Sequence, residues 1–380
     1  MSSGYVGYDV NSGKPDRRSF YGKTQREALN KLKEAQARSK SGIYTEPSKQ
    51  LFADWMDTWI NDYMKPSLRV KTWESYEMIS RLHIKPALGH IKLFQLHTHH
   101  LQKLYNDKLK RGRLDGKPGG LSHRTVRYIH TIIHGSLEQA RREGHILINP
   151  AAAAKLPKPK QKEIKYWETE DLTIFLANAK GTLYYPLYLL EVSTGLRIGE
   201  LLALRWKDID LNSCTLTVSQ GVVRTRQGLI IQPPKTKLAN RTLNLPDTVI
   251  QELTDHREKQ KIEADERIAA GKYYEDNNLV FSTRAGKLLD PKNIVRNFHG
   301  ILSKAGLEKV NFHALRHTYV TLNIQEGINL KTIQENIGHH SVAFTMDIYG
   351  AVTKKMKKSA SDKFGKLIEE CVKDEEMDGD

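Results

Sequence analysis

Cysteine is nearly absent. Cys214 and Cys371 are the only two in 380 residues, too few and too far apart for a disulfide framework, and no CxxC or Cys/His spacing supports structural zinc. No apolar run approaches the length of a membrane span, and the opening MSSGYVGYDV has no apolar stretch of signal-peptide length. These absences exclude disulfide scaffolds and membrane spanning, and point to a chain that works in a reducing cytoplasm. Negative charge is also in short supply: 60 Lys and Arg face 44 Asp and Glu, a net charge of +16, and part of the acid is segregated in the closing KDEEMDGD. The expected partner is therefore a polyanion, most often nucleic acid. With 39% hydrophobic residues the chain is globular, and its length allows two or three domains.

Periodicity divides the chain. Residues 1 to about 45 alternate in YVGYDV, turn at NSGKPD and return through RRSFYG. A helix follows over TQREALNKLKEAQARSK, with Thr24 as N-cap and Glu27 completing a capping box. SKSGIYTEPSK is a linker. From Leu51 to Pro150 the period is helical, with Leu51, Trp55, Trp59 and Tyr63 on one stripe. A second helix ends near Pro86, a third covers HHLQKLYNDKLKRG, and a fourth opens at Ser122 and closes at Gly144. His97, His99 and His100 crowd a helix entrance at a spacing that suits capping rather than ligation. Residues 151–163, in NPAAAAKLPKPKQKE, form an interdomain linker rich in Pro, Ala and Lys. Beyond it three helices precede SCTLTVSQ, GLIIQPP and RTLNLP, whose period of two predicts a small antiparallel sheet of three strands. Helices then resume.

HALRHTYVT, from His313 to Thr321, sets His313, Arg316 and His317 on one helical face. HxxxH is zinc spacing, but Ala314 stands where a zinc protease carries its glutamate and Arg316 would repel a divalent cation. Packing through Ala314, Leu315 and Val320 explains the apolar side of this helix. The polar residues on the other side either cap and solvate the helix or hold an anion between the three cationic groups, and the rest of the chain must decide between the two.

TGLRIGELLALRW, PPKTKLANRTLNLP, HALRH and IGHHSVAFTMDIYG, in that order, resemble the catalytic domain of the tyrosine recombinases, the integrases of phages and conjugative transposons. The resemblance covers roughly residues 160–355. Singly each motif is weak; the ordered set is specific. It implies an all-helical core-type DNA-binding domain over 49–150 and a mainly helical catalytic domain with the three-stranded sheet over 164–355. Residues 1–45 resemble the arm-site DNA-binding domain, complete or short of its first strand. A C-terminal tail over 356–380 would dock as a helix on its own domain or on a neighbouring protomer.

The resemblance also assigns residues. Arg197 and Arg316 would grip the nonbridging oxygens of a scissile phosphate, with Glu200 orienting Arg197 or simply facing solvent. Arg197, just ahead of the apolar IGELLAL, is expected to be buried. Tyr349 would be the nucleophile, His313 its base and His339 a donor to a phosphate oxygen. Lys235 would protonate the leaving 5′ oxygen, with Lys237 as the alternative, and His317 would be structural. The scheme implies no metal and no other cofactor. Its partners would be double-stranded DNA attachment sites of core and arm classes, three further copies of the chain in a homotetramer, and a directionality factor such as an excisionase. Two other readings share these residues: a type IB-like topoisomerase, which releases supercoils without strand exchange, and a non-catalytic DNA-binding relative.

Overall fold

A computed structural model describes residues 1–8, 15–40, 50–158, 165–234, 240–338 and 364–365. The chain divides into two units, Met1–Gln161 and Lys162–Asp380. In the first, β1 (Ser2–Tyr8) and β2 (Pro15–Phe20) pair antiparallel, with a bulge between Tyr5 and Gly7. Helix α1 (Gln25–Lys40) packs through Ala28 and Leu32. Its start is capped as its sequence predicts: the Glu27 N–H donates to Thr24 Oγ1 at 3.2 Å. The Glu27 carboxylate accepts from the backbone of Lys23 at 2.8 Å, one residue ahead of the cap.

The helical module runs through α2 (Phe52–Thr58), α3 (Lys65–Ser67), α4 (Val70–Ile79), α5 (Lys85–Leu88), α6 (Thr98–Arg111) and α7 (His123–Arg142). The second helix ends at Leu88, near Pro86 as expected, with the proline inside its last turn. Five-residue turns at Trp59–Met64 and Ser80–Ile84 carry the chain into Lys-Pro steps, with the Lys65 and Lys85 N–H groups donating to Ile60 O and Ser80 O. A proline in a regular α-helix collides with the carbonyl four residues back, and the wider turn removes the collision. Of the expected stripe, Trp55 and Trp59 are buried, while Leu51, ahead of α2, and Tyr63, inside the first wide turn, are exposed. Helix α7 opens at Ser122, whose Oγ accepts from the Thr125 N–H at 3.1 Å. At the entrance of α6, the His97 N–H donates to His100 Nδ1 at 3.1 Å.

Residues 151–158, inside the expected linker, lie along this module. Ala151 is buried, and chain carbonyls accept from Thr98, Gln102 and Arg127 at Pro150, Lys155 and Pro157. Small side chains let the backbone itself come close enough to be bonded.

The second unit starts with α8 (Thr169–Ala179), α9 (Tyr185–Thr194) and the short α10 (Ile198–Leu201). Five strands follow, β3 (Ile209–Asp210), β4 (Thr215–Val218), β5 (Gly221–Thr225), β6 (Gly228–Gln232) and β7 (Arg241–Asn244). A three-stranded antiparallel sheet forms in the order β3-β4-β7, so its third strand is Ile209–Asp210. GLIIQ instead pairs with Gly221–Thr225 as a separate hairpin. Helices α11 (Asp247–Ala269), α12 (Pro291–Lys304), α13 (His313–Gln325) and α14 (Leu330–Ile337) complete the described part. Trp167, Phe175, Tyr188, Phe298 and Phe312 share one core, and the fully buried rings supply roughly 1.5–3 kcal/mol each. A smaller cluster of Tyr319, Val320, Ile324, Ile333 and Ile337 fastens α14 to α13. Among the described residues no helix is long and apolar enough to cross a membrane.

Candidate active site

The apolar residues of α13 decide where its cations go. Ala314, Leu315, Thr318 and Val320 are buried, and Thr318 Oγ1 accepts from the Trp167 N–H at 2.9 Å. That packing carries Arg316 inward, to 1% exposure. A buried guanidinium needs partners, and two helix ends provide them. Nη1 donates to Gly195 O at 2.6 Å, just past the end of α9, and Nη2 donates to Ile337 O at 2.6 Å, the last residue of α14. Both helices stop in a left-handed glycine, Gly195 and Gly338. The carbonyl ends of helices carry partial negative charge, which suits a cation. Burial, together with the neighbouring charges of Arg197 and Arg241, pushes the Arg316 pKa down to about 10; it remains charged at neutral pH.

Arg197 differs from its expectation. Its guanidinium is not buried: the side chain is 42% exposed. It caps α10 in extended conformation, which directs it away from the core. Glu200 holds it, Oε1 accepting from Nη1 at 2.7 Å and Oε2 from the Arg197 N–H at 3.2 Å. Glu200 therefore orients Arg197 rather than facing solvent. Burial pushes the Glu200 carboxyl up, but Arg241 and Arg197 outweigh it, and the net shift is downward.

His313 begins α13, and its ring meets His317 edge to face at 4.7 Å. The surrounding protein, His317, Arg316 and Arg197 push the His313 pKa down to about 4. Burial and Arg316 do the same for His317. Both rings are neutral at pH 7 and can accept a proton or a hydrogen bond. No group of three or more His, Cys, Asp or Glu able to hold a metal occurs among the described residues.

Arg197, His313 and Arg316 thus lie within one another's electrostatic reach. Lys235, His339 and Tyr349 fall outside the described residues, as do Lys237 and His340. Three contributors to the site went unread in the sequence. Arg241, at the head of β7, donates from Nη2 to Glu200 Oε2 at 2.9 Å and from Nε to Asn336 O at 2.5 Å. Glu191 is 1% exposed beside Arg316, and among the described residues neither carboxylate oxygen has a hydrogen-bond partner. Tyr319 packs its ring on Gly195 and accepts at its hydroxyl from Asn336 Nδ2 at 3.1 Å. Arg241 stands in the basic KTKLANR stretch, where its place at the start of a strand was the available signal. Glu191 gives none, since a carboxylate inside an apolar helix looks like any solvated charge.

This fold, mostly helical around a small antiparallel sheet, is that of the tyrosine recombinases, enzymes that break and rejoin DNA. Residues 166–356 match the Phage integrase family, and residues 51–109 match the Phage integrase, N-terminal SAM-like domain. The chain belongs to the phage integrase family. It is 31% identical to a tyrosine recombinase XerC-like protein of Caldanaerobacter subterraneus subsp. tengcongensis, covering 96% of this chain and 95% of that one. It is 26% identical to the ICEBs1 integrase of Bacillus subtilis, covering 95% of each. The structure of the Tn1549 transposon integrase in complex with transposon right end DNA superimposes with a TM-score of 0.67 at 20% identity, covering 82% of this chain and all of that one. A lambda integrase tetramer bound to a Holliday junction gives 0.56 at 20% identity, over 88% and 92%.

Proposed function

We propose that this chain is a site-specific DNA recombinase of the integrase kind, which integrates and excises a mobile element by cutting and rejoining duplex DNA through a 3′-phosphotyrosyl intermediate. Arg197 and Arg316 grip the nonbridging oxygens of the scissile phosphate. Guanidinium forks suit that task and offset the charge that builds as phosphorus becomes five-coordinate. Tyr349 attacks phosphorus, its phenolic proton passing to His313. A phenol with a pKa near 10 needs such an acceptor at neutral pH. The bond from phosphorus to the 5′ oxygen breaks as Lys235 gives that oxygen a proton, and His339 donates to a phosphate oxygen. The new ester keeps the bond energy for attack by the 5′ hydroxyl of another strand, so no ATP, metal or other cofactor enters.

The observation that carries this reading is the pairing of a buried, carbonyl-held Arg316 with a half-exposed Arg197 fixed by Glu200. Residues 1–45 are proposed to bind arm sites, 49–150 core sites and 164–355 to catalyse. The lambda integrase structure is a tetramer on a Holliday junction. We take a homotetramer on paired sites, aided by a directionality factor such as an excisionase, as the working assembly in the cytoplasm. The test uses a duplex spanning the junction of the element that encodes the gene, nicked so that cleavage is trapped. Tyr349→Phe should bind it with nearly unchanged affinity and form no covalent complex. A trapped Phe variant would remove Tyr349 from its role. Relaxation of supercoils without two-site recombination by the unaltered protein would favour the topoisomerase reading.

A further inference from the structure

Arg241 has no role in the chemistry just described, yet it is the best buried of the cations that touch Glu200. Its side chain is 6% exposed and that of Glu200 12%. We propose that Arg241 is a positioning residue that acts on Arg197 through their shared carboxylate, and ties the strand after the lysine-bearing segment to the helix end before His339. The proposal rests on the reading of Arg197 as a phosphate ligand.

The geometry is a relay. Arg241 Nη2 holds Glu200 Oε2 at 2.9 Å, and Glu200 Oε1 holds Arg197 Nη1 at 2.7 Å. A carboxylate with one partner can rotate about its terminal torsion, which is broad. With Oε2 bonded from one side by Arg241 and from the other by the Arg197 N–H, Oε1 has one direction left, toward the Arg197 side chain. A half-exposed arginine has much rotamer freedom to lose, and both long cationic side chains carry about 2 kcal/mol of it. Fixing Arg197 before DNA arrives removes that cost from the transition state.

The second arm of Arg241 reaches α14. Nε donates to Asn336 O, and Gly338 lies so close that a Cβ added there would stand 3.0 Å from Arg241 Nη1. Arg316 grips the next carbonyl, Ile337 O. Two guanidiniums therefore clamp consecutive carbonyls at the end of α14, three and two residues ahead of His339 in sequence. The Arg241 backbone also pairs with Val218 across the sheet, so β4, α10 and α14 meet at one residue. Lysine keeps the charge but offers a single nitrogen in place of a planar fork, and it cannot reproduce both arms with the same geometry.

The experiment measures single-turnover cleavage of the nicked junction duplex beside band-shift affinity, using full-length protein. Arg241→Lys is expected to slow cleavage about 10- to 100-fold, as misplacement of a positioned group does, with affinity within about 2-fold. Glu200→Gln alone should slow it similarly. The double variant should lose clearly less than the product of the two single losses, because both act on Arg197 through one carboxylate. Thermal melting of each variant separates loss of fold from loss of position. Cleavage at the wild-type rate by Arg241→Lys, or losses that multiply in the double variant, would overturn the proposal. If the unaltered protein bound the duplex but never became covalently attached, the recombinase reading would fall first and this proposal with it.

Discussion

Arg316 Nη1 donates to the carbonyl of Gly195 at 2.6 Å, so a buried arginine of α13 is set by the turn that ends α9. Gly195 has φ of 61° and sits against the ring of Tyr319, itself on α13 one turn after Arg316. Two residues further on stands Arg197. The left-handed glycine therefore fixes three things together: the carbonyl for Arg316, the seat of Tyr319 and the exit of the chain toward Arg197.

Gly195→Ala tests this. A Cβ there would come within 2.6 Å of the Tyr319 ring, and an L-residue in this backbone region costs about 1–2 kcal/mol before any clash. Overpacking adds roughly 1–3 kcal/mol. Denaturant unfolding should show a loss of this combined size, accompanied by loss of covalent complex formation. A variant as stable as the parent would mean that the turn relaxes freely and does not fix Arg316.

Glu191 is a second test of the interior. Burial pushes its carboxyl well above the ordinary 4.5; Arg316 opposes the shift and Glu200 reinforces it. An acid raised by folding binds its proton more tightly folded than unfolded. Its ionisation costs nothing below pH 4.5 and drains stability as pH rises from there toward the raised value. Glu191→Met keeps the volume and removes the unpartnered oxygens. At pH 8 the variant should be more stable by about 1–3 kcal/mol, the cost of a buried unpaired polar group, with a flatter pH profile above 4.5. A less stable variant would show that ionised Glu191 supports Arg316.

Local chemistry was legible in the sequence, and distant pairing was not. Thr24, Ser122 and His100 cap helices because capping needs only neighbours in sequence. HALRH announced one helix start that carries His313, Arg316 and His317 for the same reason, and the ordered motifs brought Arg197 to it. The strand GLIIQ was visible as a strand, but a period of two says nothing about which edge it joins, and it paired with Gly221–Thr225. Pro86 marked the end of its helix to within two residues, but the five-residue turns ahead of Pro66 and Pro86 leave no compositional mark. Arg241 was invisible as a site residue because its partners, Glu200 and Asn336, lie 41 and 95 residues away.

The two histidines give the last prediction. Both have pKa values pushed from 6.5 to about 4, His313 by burial, His317, Arg316 and Arg197, and His317 by burial and Arg316. A histidine depressed by folding binds fewer protons folded than unfolded, so its stability contribution is complete above pH 6.5 and is lost as pH falls from 6.5 toward 4. Free protein should therefore melt at progressively lower temperature across that window, and His317→Gln should reduce the slope. DNA changes the sign of the local field: a phosphate between Arg197 and Arg316 favours the charged imidazole and raises both values. Binding the junction duplex at pH 6 should then take up protons, measured as a dependence of the calorimetric heat on the ionisation enthalpy of the buffer. His313→Gln should shrink that uptake while leaving the duplex bound. Heats that do not vary with buffer, in unaltered protein that demonstrably binds, would place the phosphate away from His313 and withdraw it as the acceptor of the Tyr349 proton.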